Sequence, residues 1–277
     1  MLTQVATQQA ASFWADVWIL IPAYNEKATI RSLAQRALSM CPRVIIVDDG
    51  STDSTVLALQ GLPVRLLLQP SNRGKAACLL MGFRYAASRG ARCVITLDGD
   101  GQHNPLDVPR LLSAWIDNTN RIVIGARLHD RLNFPPVRYY ANRIACFWIS
   151  WAAGHPIADS QSGFRLYPAE IINVALSGKV TGRRFTFESE ILIQAAKYNI
   201  LTLAVPILSC YPLNARASHF RPVVDIIKII VMVASELLLQ KMALKGLLRC
   251  LKPAQIWHEK EIPASGTEMQ RGVPPSR

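Results

Sequence analysis

The chain has 277 residues, half of them hydrophobic, and a formal net charge of +12 at pH 7. Such a length suits one large α/β domain or two small ones, and a positive mean hydropathy beside so basic a balance calls for a sizeable core plus a surface that meets phosphates or anionic lipid. Nucleic acid is excluded as a partner, because the basic residues are not interleaved with aromatics and no DNA-reading motif occurs. Six scattered cysteines without C-x-x-C spacing indicate neither a zinc knuckle nor a disulfide framework, and reduced thiols in the cytosol are the default. Residues 1–16 have no basic start and no long apolar core, so they read as an N-terminal extension and not a secretory signal. No uncharged apolar stretch reaches the roughly 18 residues of a membrane span.

Val17 to Pro22 reads as a strand followed by the loop Ala23-Tyr24-Asn25-Glu26, and Ile30, Leu33, Ala34, Ala37 and Leu38 give Thr29 to Met40 helical spacing. A second strand, Val44 to Val47, ends in Asp48-Asp49-Gly50-Ser51-Thr52-Asp53, where Ser51 or Asp53 can cap the next helix. Val64 to Leu68 is a third strand, running into Asn72-Arg73-Gly74-Lys75 and a helix over Ala76 to Ser88. The fourth, Val94 to Leu97, delivers Asp98-Gly99-Asp100-Gly101-Gln102-His103, with Pro105 opening the next helix. Ile122 to Gly125 is a fifth strand that delivers Ala126-Arg127. Strands and helices alternate, which makes the fold α/β with a mainly parallel sheet. All the polar clusters fall at the carboxyl ends of strands, where open α/β sheets bind ligands.

The fourth strand carries the chemistry. Asp-Gly pairs are ordinary turn residues, so it is the place after a strand, with companion motifs, that gives this cluster a chemical reading. Asp98, Asp100 and Gln102 offer three hard oxygen ligands, suited to Mg²⁺ or Mn²⁺ rather than Zn²⁺. An ion held by so few protein groups completes its shell with water and substrate phosphate.

Ile21-Pro22-Ala23-Tyr24-Asn25-Glu26, Val47-Asp48-Asp49-Gly50-Ser51-Thr52-Asp53, Asn72-Arg73-Gly74-Lys75 and Asp98-Gly99-Asp100-Gly101-Gln102-His103 occur in this order and at this spacing. Together they resemble the family 2 glycosyltransferases, in particular the dolichyl- and polyprenyl-phosphate sugar transferases. The resemblance covers about Val17 to Arg221. It implies a GT-A fold and an inverting, metal-dependent transfer of a sugar from a UDP- or GDP-sugar. By position it implies that Pro22, Tyr24 and Glu26 meet the base and ribose of the donor, that Val47 and Asp49 hold the base edge, that Gly99 lies against the donor, and that Asp98, Asp100 and Gln102 surround the metal. Lys75 and Arg216 would add positive charge at the diphosphate. In Arg216-Ala217-Ser218-His219-Phe220-Arg221 the family's Gly is missing and His219 stands in the place of its Lys.

For the acceptor, the resemblance points to Arg127, to Arg138 with Asn142 one helical turn on, to Ser162, and to Asp159 in Asp-Ser-Gln-Ser-Gly-Phe-Arg as a base or an orienting carboxylate. A lipid phosphate, already ionised near neutral pH, needs only positioning, whereas a hydroxyl on a glycan or glycolipid needs deprotonation. A catalytically silent scaffold is the reading from another class, and the three metal-facing oxygens speak against it. Glu188 and Glu190 head a helix over Phe187 to Lys197, followed by a strand from Leu201 to Tyr211. Two segments carry apolar, aromatic and basic residues together: Val137 to Ala153, and a single long helix over residues 223–252 in which Lys241, Lys245 and Arg249 form a ladder. Both suit peripheral attachment to the cytoplasmic face of the inner or plasma membrane, or packing in a homo-oligomer. The catalytic domain is thus expected over 17–222, the amphipathic helix over 223–252 and a disordered tail over 253–277.

Overall fold

The computed structural model describes residues 16–127, 136–181, 186–208, 222–239 and 244–259. Arg216 and most of the N-terminal extension lie outside these residues, and the side chain of Arg138 is not described. Seven strands form one sheet in the order β3-β2-β1-β4-β6-β5-β7. They are β1 (Val17–Ala23), β2 (Val44–Asp48), β3 (Arg65–Leu68), β4 (Cys93–Thr96), β5 (Arg121–Ala126), β6 (Arg165–Pro168) and β7 (Leu201–Pro206). Helices α1 (Ile30–Met40), α2 (Thr55–Ala58), α3 (Lys75–Ala87) and α4 (Val108–Ile116) alternate with the first strands. Helices α5 (Pro136–Ala153), α6 (Ala169–Leu176), α7 (Thr186–Lys197), α8 (Pro222–Leu239) and α9 (Leu244–Cys250) follow.

Apolar cores cover both faces of the sheet. Leu20 points into one with Phe83, Ile149 and Ile191, while Ile19 and Ile21 point into the other with Ile30, Leu33 and Leu111, as the two-residue period of a strand requires. β2 is buried at every position, which explains its unbroken Val-Ile-Ile-Val run. The strand order reverses between β1 and β4. From β1 the chain steps outward through β2 to β3, then returns to the other side of β1, so the exits of β1 and β4 flank a crevice of the kind that holds ligands.

Strand β6 and helix α6 were not foreseen. β6 runs antiparallel between β4 and β5, with Thr96 opposite Arg165 and Ile124 opposite Arg165. Its start therefore lies beside the ends of its neighbours, and the loop before it, Asp159 to Phe164, arrives at the same edge as Asp98 and Arg127. Only four residues long and buried at each of them, β6 has no alternation for sequence reading to detect.

Of the helix expected over 223–252, α8 covers the part up to Leu239 and α9 the part from Leu244, and residues 240–243 lie outside the described residues. Two boundaries are corrected. The strand expected to reach Tyr211 ends at Pro206. Residues 253–259, expected in a disordered tail, run back along the sheet edge: Ala204 N donates to Gln255 O at 2.9 Å and Trp257 N to Ala204 O at 2.8 Å. The open hydrogen-bonding edge of β7 provides the reason. Among the described residues no helix is long and apolar enough to cross a membrane.

Candidate active site

At the exit of β4 the Asp98 carboxylate meets Lys75, the first residue of α3, at 2.5 Å. The same ammonium lies 2.8 Å from Glu188 Oε2 on α7. His103 Nε2 stands 3.6 Å from the other Asp98 oxygen, and its ring packs on Phe164. Burial pulls the Lys75 ammonium down, but the two carboxylates beside it outweigh that and hold it above its ordinary value. Burial likewise pushes Asp98 up, and Lys75 with His103 brings it well below the usual carboxylate range. Asp100 behaves oppositely: burial and then the charge of Asp98 push its carboxyl up. Gly163 is required here, since a Cβ would collide with both Asp98 carboxylate oxygens.

Two carboxylates two residues apart, one of them raised by burial and then by its neighbour's charge, fit a hard divalent cation. Among the described residues at this edge, Lys75, Arg127 and Arg165 face Asp98, Asp100, Asp159 and Glu188, so an added cation relieves repulsion. Among the described residues no three His, Cys, Asp or Glu side chains converge as a metal cage. An ion at Asp98 and Asp100, with the Gln102 amide, thus depends on oxygens from its substrate. Gln102 is half-buried, and its backbone N–H donates to Asp100 Oδ1 at 3.0 Å, fixing the turn.

The loops assigned to the donor are tied to one another. Asn25 N donates to Ser51 Oγ at 2.8 Å, Thr52 N to Asn25 Oδ1 at 2.8 Å, and Glu26 N to Thr55 Oγ1 at 2.7 Å. Asp53 Oδ1 accepts from Thr55 N at 2.9 Å, but neither candidate is the N-cap of α2, which is Ser54 without a side-chain capping bond, and Ser51 serves Asn25. Pro22, Tyr24 and Glu26 are half-buried along the β1 exit. Gly99 is pressed against them, its missing Cβ falling 2.9 Å from Pro22 O. Asp49 is buried and accepts from Arg73 N at 2.8 Å, Gly74 N at 2.8 Å and Gln69 Nε2 at 3.1 Å. Three of about four carboxylate acceptor positions are thereby occupied. Its first task is to hold the loop that launches Lys75. Val47, assigned to the base edge, is corrected: its side chain is fully buried in the core between β1 and β3 and cannot touch a ligand.

On the other side of the crevice, Arg127 and Asp159 form a two-point ion pair, Nε to Oδ2 at 2.8 Å and Nη2 to Oδ1 at 3.0 Å. The Arg127 guanidinium outweighs burial and holds the Asp159 carboxyl at about 2. Ser162, assigned to the acceptor, is also corrected. It is fully buried, donates to Gly125 O at 2.7 Å and accepts from Phe164 N at 3.3 Å, which fastens the loop to β5. Asn142 is half-buried on α5, one turn beyond Arg138. Sequence reading gave no role to Arg165, yet it organises this loop. Fully buried, it donates to Ser160 O and Ser162 O at 2.7 Å each, to Glu188 O at 2.6 Å and to Tyr167 Oη at 3.2 Å. An Arg at the start of a buried strand was the available signal. His103 and the ion pair of Glu188 with Lys75 need the fold to be seen.

The sequence model of glycosyl transferase family 2 matches residues 18–173, more than half of the chain. The chain belongs to that family. This glycosyltransferase is 28% identical over 216 residues to the UDP-N-acetylglucosamine–dolichyl-phosphate N-acetylglucosaminyltransferase of Methanococcus voltae, an alignment spanning 70% of the chain and 86% of the relative. It is 28% identical over 200 residues to the polyprenol monophosphomannose synthase of Mycolicibacterium smegmatis, spanning 68% and 75%. Among solved structures it is similar to glucosyl-3-phosphoglycerate synthase from Mycobacterium tuberculosis in complex with Mn²⁺, UDP-glucose and phosphoglyceric acid. There the TM-score is 0.56 at 21% identity, over 79% of each chain. The fold of the glycosyltransferase is accordingly GT-A, a mostly parallel open sheet flanked by helices.

Proposed function

We propose that this glycosyltransferase moves a sugar from a UDP- or GDP-sugar to a polyprenyl phosphate, with inversion at the sugar carbon and dependence on Mg²⁺ or Mn²⁺. The observation that carries the reading is the pair Asp98 and Asp100 at the exit of β4, beside a Lys75 ammonium fixed between two carboxylates. Asp98, Asp100 and Gln102 would hold the ion, which when bound neutralises charge building on the departing diphosphate. Lys75 adds a point charge that cannot swing away, because Asp98 and Glu188 anchor it. Pro22, Tyr24, Glu26 and the loop held by Asp49 suit the nucleoside, and the sequence of Arg216 suits the diphosphate.

The acceptor side favours a phosphate over a hydroxyl. A carboxyl held at about 2 by Arg127 is a poor proton acceptor near neutral pH, so Asp159 acts as an orienting group. A phosphomonoester brings its own negative oxygen, its second pKa being about 6. That oxygen attacks the anomeric carbon from the face opposite the diphosphate, the sugar–phosphate bond forms as the sugar–diphosphate bond breaks, and the configuration inverts. Arg138 and Asn142 on α5 suit the phosphate by sequence. A lipid phosphate is presented at a membrane, so the reading implies peripheral attachment to the face that holds the nucleotide-sugar.

The test incubates purified protein with labelled UDP- and GDP-sugars and polyprenyl phosphate, with and without chelator. The expected product extracts into organic solvent and releases its sugar in mild acid. Turnover that ignores the chelator, or label found only in an acid-stable glycan, would overturn the metal or the acceptor assignment respectively.

A further inference from the structure

α9 is built the wrong way out for a water-facing helix. Its buried residue is Gly246, which lies against the end of α5: a Cβ on Gly154 would sit 4.0 Å from the Gly246 Cα. Beyond it, residues 255–257 are hydrogen-bonded along β7, so α9 is fastened on both sides. Leu247 and Cys250 pack partly on the core, but the other leucines are left outside. Leu244 and Leu248 are 70% exposed and Leu251, in the turn that follows, 67%. Their spacing places them on one stripe, and Lys245, Arg249 and Lys252, all exposed, repeat it one residue later. α5, packed against both α8 and α9, continues the pattern with exposed Tyr140, Ile144 and Phe147 at the same spacing beside exposed Arg143. Neither α5 nor α9 contains an Asp or Glu, and Glu236 of α8 is paired with Lys197 at 2.8 Å.

We infer that this α5–α9 face docks on an anionic lipid surface, the leucine and aromatic stripe entering the headgroup zone and the basic stripe meeting lipid phosphates. A second copy of the chain fits less well, because an isologous contact would set these unbalanced basic residues against themselves. The opposite side of α5 touches the catalytic loop, where Ser160 N donates to Cys146 Sγ at 3.2 Å. The surface therefore stands about one helix diameter, ~10 Å, from the Arg127–Asp159 pair. This deepens the lipid-phosphate reading of the acceptor and rests on it.

The test is flotation of the full chain with phosphatidylcholine vesicles and with mixed phosphatidylcholine–phosphatidylglycerol vesicles. The parent floats with the mixed vesicles at low salt and is released as salt rises. Lys245→Gln and Arg249→Gln each lower the bound fraction about fivefold, and Leu244→Ser with Leu248→Ser lowers it about tenfold or more. All these variants keep the parent's melting temperature. A parent that stays with no vesicle, variants that float like the parent, or a dimer on sizing that Leu248→Glu splits without changing flotation would each overturn the surface. Thermal shift by UDP or GDP with Mn²⁺ reads the donor site separately. A failed flotation beside an intact shift removes only this inference, and the reverse result removes only the functional reading.

Discussion

Two ionic clusters share the carboxyl edge of the sheet and follow opposite plans. Around Asp98, one ammonium is divided between two carboxylates while a third, Asp100, is pushed up by burial and then by the charge of Asp98. Across the crevice, Arg127 and Asp159 form a closed pair in which two donors meet two acceptors. An open cluster with surplus negative charge attracts a cation. A closed pair holds a shape. The first therefore suits chemistry and the second positioning, and the second sits there because an antiparallel strand, β6, carries its leading loop with Asp159 back to the edge.

The sharpest way to break this comparison is Asp100→Ala, which should lower sugar transfer about a thousandfold. The paired stability measurement has the opposite sign. A carboxyl whose folded value is raised contributes stability below its unfolded pKa of about 4 and loses it as pH rises through the folded value. Asp100→Asn should therefore raise the melting temperature of metal-free protein at neutral pH, with the gain vanishing toward about pH 4. A variant that melts below the parent at pH 7 would deny the surplus charge.

Arg165→Met tests what holds the closed side together. It leaves three buried carbonyls without their donor, and urea titration should show a loss of about 3–5 kcal/mol. Asp159→Asn comes next. With the folded carboxyl at about 2, its stability is present above the unfolded value and is lost as pH falls from about 4 toward 2, an effect of about 2 kcal/mol. Acid-unfolding curves of parent and variant should converge below that window. Smallest is Ser162→Ala, about 1 kcal/mol for the bond to Gly125 O, with KM for the acceptor unchanged. A severalfold rise in that KM at unaltered stability would return Ser162 to the acceptor.

Reading the sequence succeeded where the signal is local. The runs of β1, β2 and β4, the stripe of α1 and the acidic turn after β4 each occupy a few neighbouring residues, and period and turn chemistry suffice to place them. It failed where partners are remote. Ser162 and Val47 carry the right names for a binding motif, but one hydroxyl is spent on a carbonyl 37 positions away and one side chain fills an interior strand. Arg165 and His103 stood inside recognised motifs without a role, since a buried cation is explained only by the acceptors that surround it.

The sequence by itself determined an alternating α/β chain, polar clusters at strand exits, a hard-oxygen pair at Asp98 and Asp100, and the family that these motifs resemble. The tertiary structure alone decided that Glu188 and Lys75 join Asp98, that Arg127 closes on Asp159, that residues 255–257 line the edge of β7, and that Leu244, Leu248 and Leu251 face outward. Hydrophobic period and turn propensity act over a few residues and are written in order along the chain. Ion pairing and burial act through space, and the residues between partners distant along the chain carry no trace of them until the sheet is assembled.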